Sequence, residues 1–251
     1  MESYNLLFYS LLISEIPVLF FTILDICKFD CFKKNRISYN NSNNILIQRQ
    51  YPTNKELDIG FIEYIKITLL VLIPISICGI IFIKYIKFDF LDRSNIIPSI
   101  GCLQLIGLLL LGDILFYGLH IVFHHPLLYH IHKKHHMYQT NSFSLINHCL
   151  EPIELITFMI PPILSAFLIR PHIYIMCIYI IIANFMGIYI HSGYSFYYIN
   201  CLLLIDSKHH DIHHVKKVKN YGFGCLYSFS DKVFGTFLDY NDVTIISHKL
   251  D

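Results

Sequence analysis

Four apolar runs divided by polar breaks set out the chain, and each is long enough for membrane-type helix. The first covers residues 4–27; Glu15 and Pro17 interrupt it and Asp25 closes it. The second runs from Phe61 to Phe88, with Pro74 and Gly79 inside it, and a polar connector from Lys87 to Asn95 leads to a third from Ile96 to Leu119. A hydrocarbon core takes about 20 helical residues, and membrane helices tolerate internal proline and glycine. The fourth run, Ile153 to Ile190, is split by Pro161-Pro162 and by Arg170-Pro171, so it predicts a hairpin of two short helices rather than one very long span. Between the first and second runs lies the polar segment 28–60, whose asparagine stretch Asn40 to Asn44 predicts a flexible loop with no chemistry of its own. The pattern predicts an all-α integral membrane protein with four to five transmembrane helices.

Composition agrees with that pattern. Of 251 residues, 55% are hydrophobic and 15% charged, and the mean hydropathy is +0.52. This is the profile of a membrane protein of one functional unit, not of a soluble domain. A net charge of +1, with basic and acidic residues interspersed, argues against nucleic acid as a partner. The eight cysteines form no C-x-x-C pair, and several lie inside apolar runs, which predicts buried free thiols rather than a disulfide framework or a thiolate zinc site. Glu2 stands where a cleaved signal would be basic, so the first run is read as a retained helix. Segment 28–60 carries six basic and three acidic residues, which places it in the cytosol by the positive-inside tendency. Counting spans onward puts residues 120–136 and the polar C-terminal sixty on that same side.

Histidine changes the picture. The stretch from His120 to His136 reads HIVFHHPLLYHIHKKHH, with seven histidines in seventeen residues, and HHDIHH follows at residues 209–214. The spacing H-x-x-H-H therefore occurs twice, and on a helix positions i, i+3 and i+4 share a face. Each cluster is expected to aim its imidazoles at one point. Neutral imidazole ligates iron, zinc, copper and nickel. Eight histidines, His120, His124, His132, His135, His136, His210, His213 and His214, exceed what one ion needs, so they predict two metals gathered from segments almost eighty positions apart. His125 and His130 fall outside the repeated spacing and are read as ordinary polar side chains. Glu15 and His148 are read in the same way, Glu15 at a kink facing other helices. Iron is favoured because zinc has no redox chemistry.

These boxes, HIVFH, HKKHH and HDIHH, resemble the H-x3-H, H-x2-HH and H-x2-HH boxes of the membrane fatty acid hydroxylase and sterol desaturase superfamily, in order and with plausible separations. His191-Ser192-Gly193-Tyr194 and His209-His210-Asp211-Ile212-His213-His214 are similar to the HSGY and HHD-x-HH signatures of C-4 methylsterol oxidases and cholesterol 25-hydroxylase. The resemblance runs from about Asp113 to Thr236. It implies a non-haem di-iron monooxygenase that hydroxylates a sterol or fatty-acyl lipid with dioxygen. It further implies electrons from cytochrome b5 and an NAD(P)H reductase, and a cytosol-facing histidine-rich di-metal cap at the endoplasmic reticulum.

Residues 1–95 would then be N-terminal transmembrane helices and a loop, and 96–251 the catalytic domain. The eight box histidines become ligands. His191 and Asp211 become candidate catalytic residues, His191 as a ninth ligand or a group orienting one, and His209 likewise is a ligand or an orienting group. Asp113, Tyr117 and Asp211 are candidate acceptors that fix imidazole tautomers, with Asp113 read equally as a helix-face anion near water. Three departures bear on the substrate: Ile121 stands where an arginine is common, Glu151 replaces a histidine before Pro152, and Ser230-Asp231 stands for Trp-Asp ahead of Gly235-Thr236.

The substrate cavity is expected among residues 104–119 and 153–190, open to lipid. No GxGxxG fingerprint is present, so electrons must come from outside the chain, with Lys216, Lys217 and Lys219 as a docking candidate. A desaturase or a cholesterol 25-hydroxylase-like enzyme would use the same core. A histidine-rich metal transporter or sensor would instead need ionisable groups within the bilayer, whereas here the histidines gather outside the spans.

Overall fold

The computed structural model describes residues 3–40, 46–74, 77, 95–137, 142–216, 219–222 and 225–240. Helices α1 (Ser3–Ser14) and α2 (Ile16–Cys27) form the first run. They divide at Glu15 because Pro17 lacks an amide hydrogen and fits the first turn of a new helix. A short helix, α3 (Asp30–Lys33), leads to two strands, β1 (Ser38–Asn40) and β2 (Leu46–Gln48). They pair antiparallel, with Ser38 opposite Gln48 and Asn40 opposite Leu46. This hairpin is the one addition to the helical architecture among the described residues. It occupies part of the segment expected to be flexible loop, while residues 41–45, with Asn41 to Asn44, lie outside the described residues.

Helix α4 (Asn54–Ile67) starts at a capping box: Glu56 N donates to Thr53 Oγ1 and Thr53 N donates to Glu56 Oε2. It continues as a π-helical turn over Thr68–Leu72. Most of the second apolar run beyond that turn lies outside the described residues. The third run is one helix, α5 (Pro98–Phe123), which ends at the first histidine box. A single turn, α6 (Tyr129–His132), and 3-10 turns at His135–Met137 and Ser144–His148 carry the chain to the fourth run.

The fourth run folds as α7 (Pro152–Phe158), α8 (Ile160–Ile169) and α9 (Ile173–His191). Arg170 closes α8 in the left-handed region, at φ 50°, and Pro171 follows. His172 then caps α9, its Nδ1 accepting from Tyr174 N at 3.2 Å. Short helices α10 (Tyr197–Leu203), α11 (Ser207–Lys216) and α12 (Cys225–Val233) complete the described chain.

Among the described residues, four helical segments are long and apolar enough to cross a membrane: Asn5–Cys27, Pro98–Phe123, Pro152–Ile169 and Ile173–His191. The protein is thus of the helical membrane type that the apolar runs predict. Helix α9 is the central one. Its Met186, Ile188, Tyr189 and Ile190 pack with Val18, Phe21 and Leu24 of α2 and with Phe143, Leu145 and Ile146. Farther toward its start, Ile173, Ile175, Met176 and Tyr179 pack on Leu108 of α5 and Ala166 of α8. The opposite faces of these helices expose Leu19, Leu103 and Ile163, as helices apolar all round do when lipid is the solvent. Because α9 is fixed on both flanks, His191 at its end has a fixed place.

Candidate metal centre

Nine histidines from four stretches of chain converge in two adjoining groups. One holds His120, His124, His132, His136 and His213; the other holds His135, His191, His210 and His214; within each, the ligand atoms lie within 4.8 Å of one another. Helix α5 presents His120, with His124 at its C-terminal cap, α9 ends in His191, and α11 carries the third box. The expected convergence of distant segments is therefore present, with the His120 and His213 rings 4.5 Å apart.

Each H-x-x-H-H box does not aim at one point. His132 and His136 enter the first group and His135 the second, while His210 and His214 enter the second and His213 the first. On a regular helix such as α11, residues i and i+4 differ by about 40° around the axis, whereas i+3 is about 60° from i on the other side. The i and i+4 imidazoles therefore stay together and the i+3 imidazole crosses over. Neither box makes a site alone, and the two groups share their supporting chain.

The fit of the arrangement to metal depends on where the imidazole protons go. The Nδ1 of His120 donates to Tyr221 O at 2.5 Å, that of His191 to Gly187 O at 2.6 Å and that of His213 to Lys219 O at 2.7 Å. His132 Nδ1 donates to the Glu154 carboxylate, both side chains being fully buried. Each Nε2 is then a bare lone pair. Yet His120 Nε2 faces His132 Nε2 at 2.9 Å with no proton between them, while His191 Nε2, also bare, lies 3.0 Å from the Nε2 of both His135 and His210.

Two facing lone pairs repel unless a cation lies between them. Nitrogen–metal bonds of about 2.1 Å place neighbouring ligand nitrogens about 3.0 Å apart at a right angle and about 3.4 Å apart at a tetrahedral one. The observed spacings are close to those of nitrogens that share a cation. Burial, and after it the neighbouring imidazoles, holds the pKa of His132, His135, His136, His210, His213 and His214 below the ordinary histidine value. These imidazoles stay neutral, the form that binds metal.

The remaining candidate residues take other places. His209 stands outside both groups: its Nδ1 meets Ser228 Oγ at 2.9 Å and its ring packs on Phe237. Asp211 Oδ2 accepts from Arg49 Nε and Nη2 at 3.0 and 2.9 Å, and Oδ1 accepts from Ser142 Oγ. Asp113 accepts from the hydroxyl of Ser230, and Tyr117 OH lies 3.0 Å from Thr236 Oγ1. Asp231 receives the amides of Tyr221 and Gly222 and so shapes the loop whose carbonyl holds His120. His125 and His130 are exposed. His148 Nε2 lies 3.4 Å from Glu15 Oε2.

Glu154 and Tyr221, which fix two tautomers, were not singled out from the sequence. A carboxylate inside an apolar run is a readable signal of a paired group, and Glu154 is one. A backbone carbonyl such as that of Tyr221 carries no such signal.

Gly193, between His191 and Tyr194, adopts φ +76°, and a Cβ there would lie 2.4 Å from Ser142 O and 2.7 Å from Arg36 Nη1. Gly193→Ala is expected to lower stability by about 1–3 kcal/mol, read from thermal unfolding in detergent. Gly118→Ala, with nothing within 4 Å of its Cβ, should be neutral or slightly stabilising. Equal effects of the two would contradict this account.

A cavity of about 240 Å³ lies among the apolar spans above the histidines. His120, His132, His135, His191 and His210, from both groups, form one end of it. Leu109, Phe116, Leu155, Phe158 and Met186 supply apolar wall from α5, α7 and α9, within the two stretches expected to line it.

Residues 105–236 match the family model described as fatty acid hydroxylase. A very-long-chain aldehyde decarbonylase of rice (Oryza sativa subsp. indica) is 28% identical over 176 residues, 66% of this chain and 66% of its own. A putative methylsterol monooxygenase of Dictyostelium discoideum is 31% identical over 132 residues, 51% of this chain and 47% of its own. A fatty acid hydroxylase of Mycosarcoma maydis is 36% identical over 121 residues, 45% of this chain and 29% of its own. The chain thus spans just under two thirds of the rice relative and less than half of the other two. No solved structure matches.

Proposed function

The chain belongs to the fatty acid hydroxylase family, and from that premise we propose that it is a membrane-bound non-haem di-iron monooxygenase hydroxylating a sterol or related lipid, as C-4 methylsterol oxidases do. The observation that carries the reading is the apolar cavity ending on histidines of both groups. His120, His124, His132, His136 and His213 would hold one iron, and His135, His191, His210 and His214 the other. Two such ions, with dioxygen and external electrons, supply the oxidising power that an unactivated C–H bond requires.

The protein's own part is positional. Walls from α5, α7 and α9 hold an apolar chain or ring against the histidine floor and keep bulk water from it. Glu154, Tyr221, Gly187 and Lys219 hold the Nδ1 protons, so that Nε2 is the donor atom toward metal. In this reading His191 is a ligand, while His209 and Asp211 are positioning residues on α11. The substrate arrives from the bilayer, and electrons arrive at the polar face from a cytochrome b5-type carrier and its reductase. A centre facing the cytosol fits the excess of basic residues in segment 28–60, and residence in the endoplasmic reticulum is carried over from the family resemblance. Residues 1–95 and 96–251 act as one functional unit.

Purified protein loaded with iron and given a 4-methylsterol, dioxygen and an electron donor is expected to yield the hydroxymethyl product. Absence of any oxygenated lipid across sterol and fatty-acyl substrates would refute the proposal. The match to the rice decarbonylase covers more of this chain than either of the other two relatives reported above, and it favours a second reading, action on a long-chain acyl aldehyde. A product one carbon shorter would identify it.

A further inference from the structure

Two arginines that precede the family-matched residues reach the centre from outside it. Arg36 and Arg49 flank the β1–β2 hairpin, and Arg49 N donates to Ile37 O at 2.7 Å, so the hairpin base sets them side by side. Arg36 is fully buried in its side chain, as is its partner Asp25 at 3.2 Å. Its Nη1 also donates to Ser192 O and its Nη2 to Ser142 O, each at 3.2 Å. Its guanidinium lies against the rings of Tyr51 and Tyr194, 4.8 Å from each centroid. Arg49 grips Asp211 through two nitrogens.

Ser192 directly follows His191, and Asp211 directly follows His210. Ser142 ties the two arginines together, since its carbonyl accepts from Arg36 and its hydroxyl donates to Asp211. Backbone links run the same way: Ile37 N donates to Gly193 O at 2.9 Å, and Ser195 N to Asn35 O at 2.7 Å.

The two histidine groups differ in what else orients them. In the group of five, His120, His132 and His213 have their Nδ1 protons held by Tyr221 O, Glu154 and Lys219 O, while His136 Nδ1 has no hydrogen-bond partner among the described residues. In the group of four, only the His191 proton is held this way, by Gly187 O. The Nδ1 atoms of His135, His210 and His214 have no hydrogen-bond partner among the described residues. Their rings depend on where the backbone puts them. The guanidinium bonds reach the immediate neighbours of two members of this group, Ser192 O beside His191 and the Asp211 carboxylate beside His210.

We propose that Arg36 and Arg49, linked through Ser142, are positioning residues for the His135, His191, His210 and His214 site, and that they act on that site and not on its neighbour. This rests on reading each group as a metal site. It gives the segment before the family-matched region a role in the centre itself.

The test uses full-length protein in detergent and cobalt(II) as the probe, read by bound metal per chain and by visible absorption. Wild type is expected to bind two ions. Arg49→Gln and Ser142→Ala are each expected to weaken one ion by about 10–100-fold, the range for loss of a residue supporting a ligand. The ion that remains should have the spectrum seen in His210→Ala and not that seen in His120→Ala. Ser142→Ala removes one buried hydroxyl and no charge, so it decides alone if Arg49→Gln does not fold. Two ions held with wild-type affinity in Ser142→Ala, or both ions lost in parallel, would overturn the proposal and leave the functional reading standing. Fewer than two ions in wild type would overturn both.

Discussion

Cells expressing His135→Ala are expected to show no oxidised lipid product, while wild type changes the sterol or fatty-acid profile. His135 is 5% exposed, its Nε2 is 3.0 Å from that of His191, and its ring is 4.7 Å from the His214 ring. It also lines the cavity. Alanine leaves three donors in the smaller group and opens a void where substrate meets the centre. The loss should exceed the roughly 10–100-fold that removal of a supporting partner causes. Circular dichroism should be near wild type, because the packing of α9 on α2 and α5 does not involve this ring. A lipid profile identical to wild type would reject His135 as an essential ligand.

Glu154→Ala is the second large effect, although Glu154 touches no substrate in this account. Its carboxylate is the acceptor for His132 Nδ1; both side chains are fully buried, and Glu154 lies in the apolar segment Pro152–Ile169. Without it the imidazole proton has lost its partner where water cannot replace it, at a cost of about 1–3 kcal/mol. The ring is then free to take the other tautomer, which turns a proton toward the metal. Metal affinity of the five-histidine site and turnover should each fall about 10–100-fold. Glu154→Gln, which keeps an acceptor oxygen, should recover part of both. If the alanine and glutamine variants are equally impaired, the negative charge and not the hydrogen bond is what matters. If neither is impaired, Glu154 has no role in orienting His132.

Much of this was legible in the chain itself because a span needs only length and hydrophobicity. Proline marks where helices restart, at Pro17, Pro152 and Pro161, because it fits a first turn and not an interior. The histidine boxes were legible because a ligand must be a particular residue type. What pairs with those ligands was harder to read. Asp211 offered a plausible tautomer anchor, yet the structure gives it to Arg49 and Ser142, and the protons of His120, His191 and His213 go to backbone carbonyls. Carbonyls exist at every residue, so only folding shows which one is near. The hairpin between Ser38 and Gln48 escaped for a related reason: three-residue strands in a polar segment have too little alternation to be seen.

The order of apolar runs and the candidate histidines were legible in the sequence, because hydrophobic burial and metal ligation each depend on which side chains are present. The division of each H-x-x-H-H box between two groups was decided only in three dimensions. So was the arrival of Arg36 and Arg49 beside Ser192 and Asp211. Both depend on the angle at which α5, α9 and α11 meet, and that angle is fixed by packing of residues far apart in the chain around α9.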